Sequence, residues 1–399
     1  MTNKKWDNIG PATKSVWAGE EQSFFEGAAQ VPVVNSVSYS HDDVDEWLDV
    51  ALGKKQGHIY SRNTNPTVKV FEEKMRVLED AEAATSFSTG MAAISGILFA
   101  LMSPGNRIVS VKDTYGGTSF VFMDHMPRFN VDVTMCDTHD QDQIEAETLK
   151  GCDLLYLETP TNPTMKVLEL KRLIAAGKKV GAIVVVDNTF ATPINQNPIA
   201  LGADLVVHSA TKFIGGHSDA LGGVVCGSNE LIDKIYGFRE INGATLDANS
   251  AYLLLRGLKT LKLRIDQQNA NALALASFLE NHNKVDSVFY PGLENNPFHE
   301  IAKEQMNGFS GMLSFSLKGG FQSVRNFLPQ IRFAHRAAHL GGVETIVGPP
   351  RTTSHVELTE EQRQQLGITE TLIRCSVGIE DIDDIIFVDD VLLRAGSNK

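Results

Sequence analysis

The sequence predicts an α/β protein with a mainly parallel central sheet, followed by a smaller α+β unit. Three observations predict it. Between about residues 65 and 230, short apolar runs alternate with helix-like stretches, as expected of a sheet layered with helices. Most of those runs are dense in β-branched residues and do not alternate with polar ones, which marks strands covered on both faces. Towards the C-terminus the pattern changes to strict alternation, as in Leu313, Phe315 and Leu317 around Ser314 and Ser316, the mark of a half-buried strand.

Taken in order, residues 1 to about 60 are rich in Gly, Ser, Asp and Asn and predict an extended arm with one or two short helices. The strand runs are Arg107–Val111, Val131–Met135, Leu154–Leu157, Ile183–Val186, Leu205–Val207 and Gly223–Cys226. Leu168 to Lys179 has helical character between two of them. Asn249 to Asn281 predicts one long helix leading out of the sheet. Ile373, Cys375 and Val377 alternate as a further strand, and Asp381 opens a helix carrying Ile382, Ile385 and Ile386. Its acidic first turn suits the helix dipole.

At 399 residues and 43.6 kDa, the chain is large for one core, and two domains are expected. The formal net charge of −13 argues against nucleic acid and anionic membranes as partners. An anionic ligand must therefore be met by a local pocket. Four scattered cysteines, none in C-x-x-C spacing, read as reduced core residues of a cytoplasmic protein, and no metal site is expected. The stretch MTNKKWDNIGPATKSVWAG lacks the apolar segment of a secretory signal. No apolar run reaches the roughly 18 residues that would suggest a membrane span.

Three features stand at the carboxyl ends of predicted strands, where open α/β sheets place ligands. Ile183–Val186 runs into Asp187-Asn188-Thr189; a carboxylate there needs a cation or a donor. Leu205–Val207 runs into His208-Ser209-Ala210-Thr211-Lys212; a lysine at a buried strand end can lose its proton and act as a nucleophilic amine. Its neighbours Ser209 and Thr211 suit phosphate oxygens. Ser88-Thr89-Gly90-Met91 precedes the helix-like AAISGILFAL, and Gly90 would let backbone N–H groups approach an anion. Taken singly, Asp187 reads equally well as an N-cap, while Lys212 reads better as a solvated loop lysine and the glycine turn better as a plain helix start. Taken together they supply an acid for a ring nitrogen, an amine for an aldehyde and donors for a phosphate. Those are the needs of pyridoxal 5′-phosphate (PLP). No nucleotide-binding G-x-x-x-x-G-K-[ST] or G-x-G-x-x-G motif occurs.

The motifs Tyr60-Ser-Arg62, Asn65-Pro-Thr67, Ser88-Thr-Gly-Met91, Tyr115-Gly-Gly-Thr118, Glu158-Thr-Pro-Thr-Asn162-Pro, Asp187-Asn-Thr189, His208-Ser-Ala-Thr-Lys212 and Leu340-Gly-Gly-Val-Glu344 resemble those of the Cys/Met-metabolism (trans-sulfuration) family of fold-type I PLP enzymes. That family includes methionine γ-lyases, cystathionine γ-lyases and cystathionine γ-synthases. The resemblance runs from about Ser15 to Leu393. It implies an aspartate aminotransferase-like fold, with residues 1–62 as an arm reaching a neighbouring subunit, 63–255 as the PLP-binding domain and 256–399 as the α+β domain. It implies that Lys212 bonds the PLP aldehyde and shuttles protons, and that Asp187, with Thr189 beside it, serves the ring nitrogen. Tyr115 would stack on the ring and act in acid–base steps. Gly90, Met91, Ser209 and Thr211 would hold the phosphate, completed by Tyr60 and Arg62 of the neighbouring subunit in a homotetramer of active dimers. Arg374 and Asn162 would bind the carboxylate of a small amino-acid substrate. The implied activity is γ-elimination, with γ-replacement as the alternative.

The chain also departs from the family. The two acidic positions of cystathionine-specific members are Ile59 and Ala338 here, and neither can pair with a distal ammonium. Gly117 stands where methionine γ-lyases usually carry Cys, and His339 stands where the family usually has Ser. His339 reads either as a backbone position or as a substrate-contacting imidazole. His58 and His217 read as ordinary loop or core residues, and His335-Arg336 adds positive charge without an assigned role.

Overall fold

The computed structural model describes residues 5–20, 27–356 and 358–386. Seven strands form the main sheet: β1 (Ala83–Phe87), β2 (Arg107–Val111), β3 (Asp132–Cys136), β4 (Leu154–Glu158), β5 (Ile183–Asp187), β6 (Leu205–Ser209) and β7 (Gly223–Gly227). Their order is β1-β7-β6-β5-β4-β2-β3. Strands β2 to β6 pair in parallel, and β7 is antiparallel to both its neighbours, β1 and β6. So β1 points the same way as the parallel set, and its carboxyl end shares their edge. No apolar run marks β1 (AATSF); its pairing along the whole of β7 makes it a strand.

Unbroken apolar runs became strands here because both sheet faces are covered. Tyr156, Val185, Leu205, Val207 and Val225 cluster with Ile94, Ile97, Ile232 and Ile235, from helices Gly90–Leu101 and Asn229–Asn242. The alternate residues Leu155, Leu157, Val184 and Val186 cluster with Ile144, Leu170, Leu173 and Ile174, from helices Gln141–Leu149 and Leu170–Lys179. The period of two sends neighbouring residues to opposite layers. Each fully buried aliphatic side chain contributes about 1.5–3 kcal/mol. Strand β3 lies at the sheet edge, is only partly buried, and begins one residue later than its sequence predicts.

The predicted helix Asn249–Asn281 is two helices, Ala248–Leu258 and Leu261–Glu280. The break lies at a tertiary contact. A Cβ at Gly257 would overlap the Gly215 carbonyl, so the chain can approach there only as glycine. The Arg264 guanidinium donates to the carbonyl of Gly257 (2.8 Å), one that a continuous helix would have bonded internally, and to those of Phe213 (2.7 Å) and Ile214 (3.3 Å) in the loop beyond β6.

The second sheet has five strands: β8 (Val285–Phe289), β9 (Met312–Leu317), β10 (His335–Arg336), β11 (Ile346–Gly348) and β12 (Leu372–Ser376), in the order β10-β11-β12-β9-β8. Alternation predicted a half-buried β9, yet all six of its residues are buried. Its serine face lies against polar partners: Ser314 Oγ donates to the Pro163 carbonyl (2.7 Å), and Ser316 Oγ meets Thr369 Oγ1 (3.0 Å). The period was right, but the polar face is covered rather than solvated. Two short helices, Pro11–Trp17 and Val44–Ala51, occur in the N-terminal segment, and the acidic helix Ile382–Ile386 follows β12.

One glycine of β7 ties the sheet to the future site. A Cβ at Gly223 would overlap the Thr89 carbonyl and press on Ala93. Gly223→Ala should therefore destabilise the fold by about 1–3 kcal/mol, read as a lowered midpoint in chemical denaturation.

Candidate active site

The carboxyl ends of β1, β4, β5 and β6 open on one edge of the main sheet. A cleft of about 290 Å³ lies there, closed on its far side by residues of and near the second sheet. Gly90, Met91, Tyr115, Asn162, Asp187, Thr189, Ser209, Thr211, Lys212 and Arg374 all line it. Of the residues given a cofactor or substrate role from the sequence, Tyr60, Arg62 and His339 are not among its lining residues. Tyr60 pairs in a bridge with Ser38 and carries the Arg62 guanidinium 5.2 Å above its ring, on an exposed part of the N-terminal segment.

Asp187 ends β5 and is almost wholly buried. Its Oδ1 accepts from Thr189 N–H (3.1 Å) and Thr189 Oγ1 (2.6 Å), and its Oδ2 accepts from Tyr156 Oη (3.2 Å). Thr189 Oγ1 also accepts from Ser209 N–H (2.9 Å). Thr189 thus locks the acid to the neighbouring strand. Glu158 ends β4 directly beside Asp187, and its Oε2 accepts from Tyr115 N–H at 2.7 Å. Burial, and then the nearby Asp187, push the Glu158 carboxyl well above its usual range, and burial also raises Asp187.

Thr89 caps the helix Gly90–Leu101 by accepting from Ala92 N–H (3.0 Å). The N–H groups of Gly90 and Met91 stand in the first turn, where helices leave donors without internal partners. A Cβ at Gly90 would come within 2.6 Å of Ser209 Cβ, so only glycine lets this helix start lie against Ser209. Thr211 Oγ1 donates to the Gly222 carbonyl (3.2 Å) and accepts from Gly222 N–H (3.0 Å), bracing the loop that carries Lys212.

Lys212 Nζ lies 3.2 Å from His339 Nδ1. Burial, with Arg374 adding to it, pushes the amine down to about 8. Arg374, on β12, is buried and reaches across to the cleft. Its Nη1 donates to Asn162 Oδ1 (3.0 Å) and its Nη2 to the His339 carbonyl (3.2 Å). Burial lowers the guanidinium to about 10. Tyr115 is half-exposed over the cleft. A Cβ at Gly117 would stand 2.8 Å from the Tyr115 ring and 3.0 Å from Met91 Sδ, so the missing side chain leaves the ring its place.

Sequence reasoning did not single out Tyr156 or the Thr353-Ser354 turn, which also lines the cleft. Tyr156 lay hidden in an apolar run, and the turn carries no periodic signal. Glu158 was visible only inside a motif, although, like Asp187, it is an acid ending a buried strand. His58 Nδ1 meets Thr64 Oγ1 (2.9 Å) and His217 Nδ1 meets the Gly215 carbonyl (2.8 Å), both within local loops.

The residues fit PLP. Two raised carboxylates lie side by side with only neutral hydrogen-bond donors, an arrangement that a cationic ring nitrogen would relieve. Across the same cleft stand a buried amine of lowered basicity and a glycine-opened helix start.

Known proteins agree. A family model described as Cys/Met metabolism PLP-dependent enzyme matches residues 12–391. An L-methionine gamma-lyase of Fusobacterium nucleatum subsp. polymorphum is 39% identical over 389 residues, covering 97% of this chain and 98% of that one. A cystathionine gamma-lyase of Bacillus subtilis is 40% identical over 369 residues, 92% of this chain and 94% of that one. The crystal structure of cystathionine gamma synthase from Xanthomonas oryzae pv. oryzae in complex with cystathionine superimposes with a TM-score of 0.92 at 37% identity, covering 97% of this chain and 98% of that chain. A match of this extent places the chain in the Cys/Met metabolism family of PLP-dependent enzymes, with PLP as its cofactor.

Proposed function

We propose that the protein catalyses γ-elimination on a γ-substituted L-amino acid, consuming water and releasing 2-oxobutanoate, ammonia and the protonated γ-substituent. The observation that carries this reading is the convergence of Lys212, Asp187 and Arg374 in one cleft. Bound there, PLP supplies an aldehyde for the substrate amine and a cationic ring that takes up negative charge from Cα. Asp187, oriented by Thr189 and Tyr156, holds the ring nitrogen in its protonated form. Gly90, Met91, Ser209 and Thr211 serve the phosphate. Arg374, steadied by Asn162, takes the substrate carboxylate in its fork. That anchor would turn the Cα proton towards Lys212, whose Nζ would remove it, pass it on, and then take a Cβ proton as the bond to the γ-group breaks, a proton ending on Cγ of the 2-oxobutanoate. Tyr115 Oη gives a proton to the departing γ-group.

The γ-substituent is a thioether, an O-acyl group or a bulkier aminooxy-type group. Ala338 lines the cleft and, like Ile59, offers no carboxylate to a distal ammonium, which disfavours cystathionine. Gly117 widens the space beside Tyr115.

We further propose a cytoplasmic homotetramer of active dimers, with residues 1–62 as the arm, 63–255 as the cofactor domain and 256–399 as the C-terminal domain. In this arrangement Tyr60 and Arg62 complete the phosphate site of the neighbouring copy. Exposed Val44, Trp47, Leu48 and Leu52 on the arm support an interface there, and four free, buried cysteines suit a reducing compartment. Among the described residues, no helix is long and apolar enough to cross a membrane.

The test is 2-oxobutanoate release from methionine, cystathionine, homocysteine, canavanine and O-acetylhomoserine, with and without cysteine, across pH. Release from one of them without a thiol is expected. It should increase as pH rises through about 8, because the neutral form of Lys212 is the base. A second reading, γ-replacement, is favoured by the likeness to solved cystathionine gamma synthases. It would be established by weak release that gives way to a thioether product when cysteine is added.

A further inference from the structure

Sequence reasoning left His339 between a backbone position and a substrate contact. Its side chain meets the amine of Lys212. The ring lies against Lys212, with Nδ1 3.2 Å from Nζ. A lysine amine or ammonium offers N–H donors to such a neighbour, so Nδ1 is the acceptor and the ring proton sits on Nε2. Nε2 is buried and has no partner. A buried, unsatisfied imidazole edge costs stability, and an apolar side chain would fill the same place without that cost. The ring's polar contact with Lys212 is what an apolar side chain could not supply.

The backbone explains why the contact is reproducible. Gly341 has φ +82°, and a Cβ on it would meet Phe213 N at 2.5 Å and the Lys212 carbonyl carbon at 2.8 Å. The segment is therefore pressed directly onto the backbone of Lys212 and Phe213. Gly341 N–H donates to Ser376 Oγ (2.8 Å), fastening the same segment to β12. The His339 carbonyl accepts from Arg374 Nη2 at 3.2 Å. One residue thus touches both the amine and the guanidinium placed to receive the substrate carboxylate.

We propose that His339 is a positioning residue for Lys212: its Nδ1 accepts one N–H of the amine and leaves the lone pair free for the Cα proton of the substrate. A donor at this position would do the opposite, occupying the lone pair and weakening the base. Arg374 is the charged group that acts on both partners, lowering each, with Tyr115 and His355 in turn near Arg374. Burial, then Lys212 and Arg374, hold the His339 ring down at about 4, so it stays neutral and adds no competing charge.

The inference rests on Lys212 being the amine that moves the proton, and the test separates the two. Full-length His339→Ala, His339→Leu and His339→Asn are compared with the parent, the asparagine carbonyl standing in for Nδ1. In protein freed of cofactor, the pH dependence of Lys212 acetylation by acetic anhydride is followed on its peptide by mass spectrometry. Losing an acceptor of the ammonium should lower the midpoint by about one unit in the alanine and leucine variants, and asparagine should restore it. In the holoenzyme, exchange of the Cα proton of L-norleucine, whose γ-carbon carries no leaving group, should slow about tenfold in alanine and leucine and recover in asparagine. Leucine fills the ring's volume and carries the comparison if the alanine variant does not fold. A parent-like midpoint, or parent-like exchange, in the variants that lack the acceptor overturns the proposal. Exchange persisting in Lys212→Ala overturns the underlying reading of Lys212 instead.

Discussion

Lys212→Ala should cut 2-oxobutanoate release by at least roughly 10⁴-fold, because one side chain performs two tasks. Positioned proton transfer alone is worth about 10²–10⁴-fold, and the loss of a nucleophilic amine removes covalent capture as well. The substitution is mild for the fold. Lys212 lies in the loop just beyond β6 and makes its one described side-chain hydrogen bond with His339. A denaturation midpoint close to the parent's is therefore expected alongside the lost activity. Added methylamine should recover part of the proton transfer, as a small base can enter the vacated space. Parent-like turnover in this variant would refute the assignment of Lys212 and the mechanism built on it.

Arg374→Ala should lower kcat/KM by roughly 10²–10³-fold, with most of the effect in KM. The guanidinium is held by Asn162 Oδ1 and by the His339 carbonyl, which leaves its remaining donors for an anion. Charge-assisted hydrogen bonds are worth about 1.5–3 kcal/mol each, and losing a two-bond carboxylate clamp costs about 3–4 kcal/mol once non-additivity is allowed for. Arg374→Lys should recover little, since an ammonium cannot reproduce the planar fork against both a carboxylate and Asn162. A competitive inhibitor lacking the carboxylate offers a control, because its Ki should be unchanged in either variant. An unchanged KM in Arg374→Ala would place the carboxylate elsewhere. The loss is one of binding rather than of folding: burial already lowers this guanidinium to about 10, so its place in the core is costly to the native state.

The chemistry of the site was legible in the sequence to a large extent. An acid, an amine and a glycine turn each closing a buried strand are local signals, and all three reached the same cleft. Strand runs such as Ile183–Val186 were legible because a segment buried on both faces has no freedom to be polar. The break between Leu258 and Leu261 was not, because it depends on Gly215 and Arg264, which only the fold brings to Gly257. The burial of the β9 serines was hidden for the same reason: their alternation is a local pattern, whereas the loop carrying Pro163 that covers Ser314 comes from a distant part of the chain.

His339 marks the boundary most clearly. The sequence by itself determined that an imidazole stands before Leu340-Gly341-Gly342 and that a lysine closes β6, but it left the histidine's role open. The tertiary structure decided that the two side chains meet, because Gly341 allows their backbones to touch and Ser376 fastens the segment there. Composition and local pattern determine which groups are available and which segments must be buried, since those follow from side-chain chemistry and backbone period alone. Which of those groups become partners is decided by contacts between residues 127 positions apart, as Lys212 and His339 are, and such contacts exist only once the chain has folded.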